Sequence, residues 1–351
     1  MYLATCVASD LPREIIFPMT LRALCDPSAA RAADIDQRLR ERLAVSLDYM
    51  AGFLASDDWN RSLVMPQALA DLKAGPVLPW VFGFYAMAVQ HASRAELDLA
   101  RQDFDELIAI ITTPSSKNII ALAAPALSDA HQAVAQALFD TDSTRRFQPQ
   151  APSVPEFEVC SSEVEAAFAL ISNSDPDLAA EMKVLMGLIL LAVPEGSDRS
   201  QGFNGASTFF LWRATLLNAR CQRGIIETAD LLIHEASHQL LFGLVLGGAL
   251  SENDPTERYT SPLRADLRPI DGIFHAAFVA TRVHLAMTRM RASDNIPPEL
   301  LPALNHSATT SAEAALAALE LLEKKLSPTP AGKEIFDAMV DYWQAAKFSV
   351  A

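Results

Sequence analysis

The 351-residue chain carries 28 Lys and Arg against 43 Asp and Glu, which gives a formal net charge of −15, and half of its residues are hydrophobic. This acidic balance argues against nucleic acid and against an anionic membrane surface as partners, because both require clustered Lys and Arg. Only 20% of the residues are charged, as is typical of a packed globular protein. The length suggests two domains, or one large domain with an appendage.

Glycine is scarce, with 13 residues, while Ala and Leu are abundant, and this composition favours helices. The sequence therefore predicts a mainly α fold with a small β-sheet, an α+β protein. The four cysteines match no metal-ligand spacing. No signal peptide is predicted, and the longest apolar runs are too short to span a bilayer. We expect a reduced cytoplasmic protein that does not associate with membranes.

The N-terminal region is predicted to be helical. Apolar residues recur at helical spacing in residues 33–56, 96–112 and 119–139. Residues 141–155 contain three prolines and no apolar period, so they are predicted to form a linker. We therefore expect a helical region over residues 1–150 and a metal-binding catalytic region over 151–351, which form either two domains or one continuous domain.

The second region is predicted to combine helices with one strand. The helices are expected at residues 161–173, 176–193, 227–243, 271–290, 309–326 and 331–347. The stretch STFFLWRATL (207–216) is rich in aromatic residues and is the best strand candidate. Residues 249–270 contain three prolines, and an irregular segment of that length is usually functional or disordered.

The stretch LLIHEASHQLLFG (231–243) places His234, Glu235 and His238 inside an apolar run. Histidines four residues apart lie on one face of a helix, and neutral imidazole is a strong ligand for zinc, iron, copper and nickel. A metal ion would supply the partner that these buried polar groups need. The alternative is a hydrogen-bonded pair of core histidines. The pattern predicts a metal site held by His234 and His238, with Glu235 as a candidate catalytic residue beside the first ligand.

A third ligand must come from another part of the chain. His275 and His284 lie nine residues apart on one predicted helix, so they face opposite sides of it. His275 has apolar neighbours on both sides, in GIFHAAFVA, and is therefore the preferred third ligand. Asp271, one turn earlier on the same face, is the alternative ligand or a supporting residue.

Two arginines precede the helix that carries His275. Arg264 and Arg268 stand in the stretch YTSPLRADLRPIDG. Because arginine binds carboxylates through two parallel hydrogen bonds, these residues predict a site for an anionic ligand beside the metal. The alternative is that both are solvent-facing surface residues.

The stretches LIHEASHQLL and YTSPLRADLRPIDGIFHAAFV resemble the HExxH-type peptide β-hydroxylases. These iron(II)- and 2-oxoglutarate-dependent enzymes modify ribosomally made peptides in bacterial natural-product gene clusters. The resemblance is concentrated in residues 205–290, and the N-terminal half contributes only a compatible, helix-rich composition. It implies a dioxygenase that hydroxylates a side-chain β-carbon of a precursor peptide.

For the site, the resemblance implies that iron(II) is held by His234, His238 and His275, which departs from the usual set of two histidines and one carboxylate. The far carboxylate of 2-oxoglutarate would meet Arg264 or Arg268. Which arginine binds it, the role of the glutamate in the motif, the modified residue and the oligomeric state are left open.

Two other functions compete with hydroxylation. A zinc metallopeptidase would use Glu235 as the general base, but HEASHQLLFG lacks the further histidine that metzincins carry. A non-catalytic protein whose metal only stabilises the fold is the third possibility, and structural metal sites of that kind exist.

Overall fold

A computed structural model describes most of the chain and is 67% helical, with a small mixed sheet and a two-stranded sheet. This confirms the predicted mainly α fold with a small β component. The described residues are 21–113, 119–123, 125, 127–140, 148–196, 203–220, 223–261 and 267–348. Arg264 and the first half of the predicted linker, residues 141–147, lie outside them.

In the described residues the α-helices are α1 (Ala29–Leu54), α2 (Met65–Ala74), α3 (Trp80–Ser93), α4 (Leu97–Ile110), α5 (Asp129–Phe139), α6 (Val154–Ser174), α7 (Pro176–Leu185), α8 (Ile225–Leu244), α9 (Ile270–Arg291), α10 (Leu301–Lys325) and α11 (Pro330–Phe348). The predicted helices at 33–56, 96–112, 227–243 and 271–290 correspond to α1, α4, α8 and α9. Helices α2 and α3 were not predicted. The sequence of α3, WVFGFYAMAVQHAS, is apolar on nearly every side and therefore shows no helical period.

The mixed sheet contains three parallel strands and one antiparallel strand. Its members are β1 (Ile119–Ala121), β2 (Leu188–Ala192), β3 (Gly205–Ser207) and β4 (Ala214–Asn218), in the order β1-β2-β4-β3. Strand β2 pairs in parallel with both β1 and β4, and β3 runs antiparallel to β4. Every residue of β2 and β4 is buried, as expected for strands that are covered on both faces.

Two predicted helices are wrong where they run into this sheet. The helix expected over 176–193 ends at Leu185, and its last residues form β2; the helix expected over 119–139 begins with β1. A short continuous apolar run such as LILLA fits a buried strand as well as a buried helix, so periodicity could not separate them. The strand predicted over 207–216 is divided into the end of β3, a 3₁₀ turn and the start of β4.

The chain forms two compact units. The first contains the described parts of residues 31–161 and 184–222. Its apolar core is built from α1 to α5 together with β2 and β4. The second unit contains the described parts of residues 13–30, 162–183 and 223–351. The predicted division between residues 150 and 151 stays a prediction, since each unit draws on separate stretches of the chain.

The second unit carries all the described candidate site residues. Within it α8 packs against α9, and α9 packs along α10. A two-stranded sheet of β5 (Tyr259–Thr260) and β6 (Leu267–Arg268) lies in the predicted irregular segment, just before α9. Among the described residues, no helix combines the length and the apolar character needed to cross a membrane.

Candidate metal centre

Helix α8 positions the HExxH motif in the core of the second unit. Thirteen of its residues are buried, because Leu, Ile and Ala occupy positions all around the helix. His234 and His238 keep partial exposure, whereas the side chain of Glu235 is almost completely enclosed, with the residue 3% exposed. The motif therefore presents its two imidazoles at one accessible spot on an otherwise buried helix.

The two motif histidines face each other at a distance that suits one metal ion. His234 Nε2 and His238 Nε2 are 3.2 Å apart, and the two rings are tilted by 66°. Two imidazole nitrogens bound at about 2.1 Å to one ion are roughly 3.0–3.4 Å apart in octahedral or tetrahedral geometry. The distance of 3.2 Å lies within this range, so these two nitrogens fit a shared divalent ion.

His275 of α9 completes a cluster of three imidazoles. Its Nδ1 lies 3.2 Å from His238 Nδ1, and the two rings are stacked with centroids 5.5 Å apart. Although an edge of the residue stays accessible, burial lowers the pKa of His275 to about 4. The ring is therefore neutral at physiological pH, which is the form that binds metals.

The orientation of His238 decides how the cluster can work. This residue faces His234 with Nε2 and faces His275 with Nδ1, so the three rings do not point at one common centre. Accordingly, no group of three or more His, Cys, Asp or Glu side chains in the described chain is arranged to hold a metal ion. In these orientations His275 faces Nδ1 of His238, the nitrogen that points away from His234. A supporting residue orients a metal ligand from that position. To act as a third ligand, His275 would need a different ring orientation.

The alternative third ligand, Asp271, makes a different contact. Its Oδ1 accepts a hydrogen bond of 2.6 Å from the hydroxyl of Ser251, a residue of the segment that follows α8. His284, on the opposite side of α9, has its Nδ1 2.6 Å from the hydroxyl of Tyr342 on α11. Of the three α9 candidates, His275 is the one whose described contacts reach the motif, at His238, and its role as a third ligand stays a prediction.

Arg268 lies at the end of β6, two residues before α9 begins. It is half-buried, and its aliphatic stem passes over Gly272 in the first turn of α9: a Cβ on that glycine would lie 3.5 Å from the Cβ of Arg268. The arginine stem therefore packs on the same helix that carries His275, three residues after Gly272. Its predicted partner Arg264 falls outside the described residues.

Two further contacts near the cluster were not predicted. Phe242, one turn after His238, lies against both His238 and His275, with ring centroids 6.2 and 5.2 Å away. Asp230, one turn before His234, accepts a hydrogen bond from Ser307 of α10, and burial raises the pKa of its carboxyl. Asp230 lies four residues before His234, and Phe242 lies four residues after His238. This spacing could have placed both residues on the helix face of the motif histidines.

Comparison with models of known protein families gives no match for this sequence, and comparison with curated proteins gives none either.

Proposed function

We propose that the chain is an iron(II)- and 2-oxoglutarate-dependent oxygenase that hydroxylates a side-chain β-carbon of a ribosomally made precursor peptide in the cytoplasm. The observation that carries this proposal is the cluster of imidazoles contributed by the HExxH helix α8 and by α9, with 3.2 Å between facing nitrogens. The choice of oxygenase over other metal chemistry follows from the resemblance of the α8 and α9 sequences to the peptide β-hydroxylases.

The donor set fits a first-row divalent metal. His234 and His238 would hold it through Nε2, and His275 would act as the third ligand that the resemblance implies, or as the support of His238. Imidazole nitrogens suit iron(II) as well as zinc. Bound together with a 2-oxo acid, iron(II) supplies the oxygen activation that hydroxylation of a C–H bond requires.

The chain's own residues would orient the reactants and exclude water. The apolar side chains around α8 limit solvent at the cluster, and the ring of Phe242 restricts the planes of His238 and His275. Arg268 would bind the far carboxylate of 2-oxoglutarate through two parallel hydrogen bonds. Fixing that end of the molecule holds its 2-oxo acid in the orientation that chelation needs.

The function is tested by supplying the iron-loaded protein with 2-oxoglutarate, oxygen and a peptide encoded by a neighbouring gene. We expect the peptide to gain the mass of one oxygen atom while an equal amount of succinate forms. His234→Ala should abolish both products, and His306→Ala should leave them unchanged, because His306 is exposed on α10. Succinate formation without iron dependence, or no oxidised product from any neighbouring peptide, would contradict the proposal.

The same experiment separates the oxygenase from a zinc peptidase. Hydrolysis would yield two shorter fragments without oxygen or 2-oxoglutarate, and Glu235→Gln would abolish it because the general base is lost. For the oxygenase we expect the oxidised peptide to retain its full length. If the reconstituted protein only becomes more stable and converts nothing, the metal has a structural role.

A further inference from the structure

A phenol, an imidazole and an indole lie against one another where α11 meets α9, in the second unit. His284 Nδ1 is 2.6 Å from the hydroxyl oxygen of Tyr342. The ring of Trp343 lies beside both, with its centroid 4.5 Å from that of His284 and 5.2 Å from that of Tyr342. The two α11 residues are each 6% exposed, whereas His284 keeps partial exposure. The proposed oxygenase mechanism uses none of these three residues, which we call the α9–α11 cluster.

The phenol is the donor in the contact with His284. Burial first, and then the charge of Arg291, lower the pKa of His284, so its imidazole is neutral at physiological pH and one ring nitrogen can accept a proton. A phenol is the stronger donor of the two groups, and a neutral imidazole nitrogen is the stronger acceptor. We therefore assign the donor role to Tyr342 Oη and the acceptor role to His284 Nδ1. The contact pairs an oxidisable phenol with a base that can take its proton.

We propose that Tyr342 is a site of proton-coupled one-electron oxidation, with His284 as its proton acceptor. The phenol gives one electron to a one-electron oxidant, its O–H bond breaks, and the proton moves to Nδ1 of His284. The products are a neutral tyrosyl radical and an imidazolium. One electron from a reductant such as ascorbate reverses the transfer and returns the proton to the phenol oxygen.

The hydrogen-bond partners decide that the radical settles on the tyrosine and not on the tryptophan. Trp343 Nε1 donates to Thr281 Oγ1 at 2.9 Å, and this hydroxyl donates in turn to the carbonyl of Ala277 at 2.8 Å. Neither group is a base, so oxidised Trp343 would keep its positive charge, and a buried charge without a partner is costly. Oxidation of Tyr342 instead leaves the positive charge on His284, which is partly exposed. Trp343 therefore passes the electron on and does not hold the radical.

Of the tyrosines that the structure describes, Tyr342 is the one hydrogen-bonded to an imidazole. Tyr259 donates to a glutamate carboxylate, which is a weaker base than imidazole, and Tyr49 is 63% exposed. Tyr85 is half-buried and shares a hydrogen bond with the hydroxyl of Ser46, which is not a base. Tyr85 is therefore a matched control for Tyr342.

The natural oxidant rests on the proposed function, because an iron centre that activates oxygen without substrate is a one-electron oxidant. His284 follows His275 by nine residues on α9, which places it roughly 13.5 Å further along the helix axis. Electrons tunnel over such a distance through packed protein, so the cluster can reduce the centre without occupying the place of the substrate. Its role would be to protect the imidazoles of the candidate metal centre and the ring of Phe242 from oxidation.

The test supplies the oxidant from outside, so it needs no iron. The parent for the test is the full chain with Y2F/Y49F/Y259F, which keeps Tyr85 and Tyr342 as its tyrosines. A photogenerated ruthenium(III) polypyridyl complex oxidises this protein, and electron paramagnetic resonance records the radical. We expect a long-lived tyrosyl signal that is lost in Tyr342→Phe and kept in Tyr85→Phe. A signal that persists in Tyr342→Phe, or a parent that gives no tyrosyl signal, overturns the proposal.

His284→Gln in the same parent separates proton transfer from hydrogen bonding, because a glutamine oxygen accepts a hydrogen bond but is not a base at neutral pH. This variant should lose the long-lived signal. Circular dichroism checks that it is folded, and His284→Asn replaces it if it is not. A full signal in the folded variant overturns the assignment of His284 as the proton acceptor. Since neither the oxidant nor the readout involves iron, failure of this test leaves the proposed function standing, and failure of the hydroxylation assay leaves the result of this test standing.

Discussion

Replacing His275 by alanine tests the candidate metal centre most sharply, because it changes the cluster without substituting any residue of the HExxH helix. The substitution removes the Nδ1 atom that lies 3.2 Å from His238 Nδ1. It also removes a ring that stacks on His238 and contacts Phe242. The two motif nitrogens, which face each other at the same distance, are left in place.

The size of the effect distinguishes the two roles open to His275. Losing a residue that only orients a ligand typically lowers metal affinity about 10- to 100-fold, or roughly 1.4–2.8 kcal/mol. Losing a ligand from a set of three should exceed this range. We therefore expect His275→Ala to weaken binding of iron(II) or zinc at least about tenfold, with a loss beyond a hundredfold identifying it as a ligand.

The assay is a competition titration against a chromophoric chelator, run without oxygen for iron(II). The control is His284→Ala, whose side chain contacts Tyr342 on the other side of α9 and should leave affinity within about threefold, well below a supporting-residue effect. Circular dichroism confirms folding of both variants. An unchanged affinity in His275→Ala, or a larger loss in His284→Ala, would refute the assignment of His275 to the metal centre.

Three other outcomes follow from described contacts. Arg268→Ala should raise the 2-oxoglutarate requirement roughly tenfold to a hundredfold with iron affinity retained, and Arg268→Lys should recover only part of it; an unchanged requirement in turnover assays would exclude this anchor. Arg282→Met leaves the buried carboxylate of Glu181 without its ion-pair partner and should lower the free energy of unfolding, measured with urea, by about 3–5 kcal/mol. Adding Glu181→Gln should restore part of this loss, and an unchanged free energy of unfolding in Arg282→Met alone would contradict the reasoning. Burial raises the pKa of the Asp230 carboxyl above its ordinary value of 3.8, so the folded state binds this proton more tightly than the unfolded state does. The free energy of unfolding therefore falls as the pH rises from 3.8 through the folded-state pKa. Asp230→Asn should therefore melt higher than the unmodified protein at pH 7, with the gap closing as the pH falls towards 3.8; a constant gap would count against burial as the cause.

The parts of the site that the sequence predicted are those set by regular helical spacing. Helices α8 and α9 are long, so their existence follows from apolar pattern alone. The separation of four residues places His234 and His238 on one face, and the separation of nine turns His284 away from His275. These relations need no knowledge of how the rest of the chain folds.

What the sequence could not predict depends on contacts distant along the chain. Strand β2 is apolar without interruption, and only its pairing with β1 and β4 makes it a strand. Likewise, no local signal fixes which nitrogen His238 turns towards His275, because that orientation follows from packing between α8 and α9. The hydrogen bond from Ser307 to Asp230 joins residues 77 positions apart, whereas helical periodicity relates only residues of the same helix.

Hydrogen bonds made by the segment after α8 explain why the histidines of α8 lie at a defined position relative to α9. After α8 the backbone carbonyl of Leu250 accepts hydrogen bonds from Thr329, and a Cβ on Gly332 in the first turn of α11 would clash with the same carbonyl. One residue further, Ser251 donates to Asp271 in the first turn of α9. The segment after α8 is thus fixed to both α9 and α11, which limits sliding of α8 along α9. Because Asp271 lies one turn before His275, this contact restrains the end of α9 that faces His238, and with it the spacing of the imidazoles on which the proposed metal binding depends.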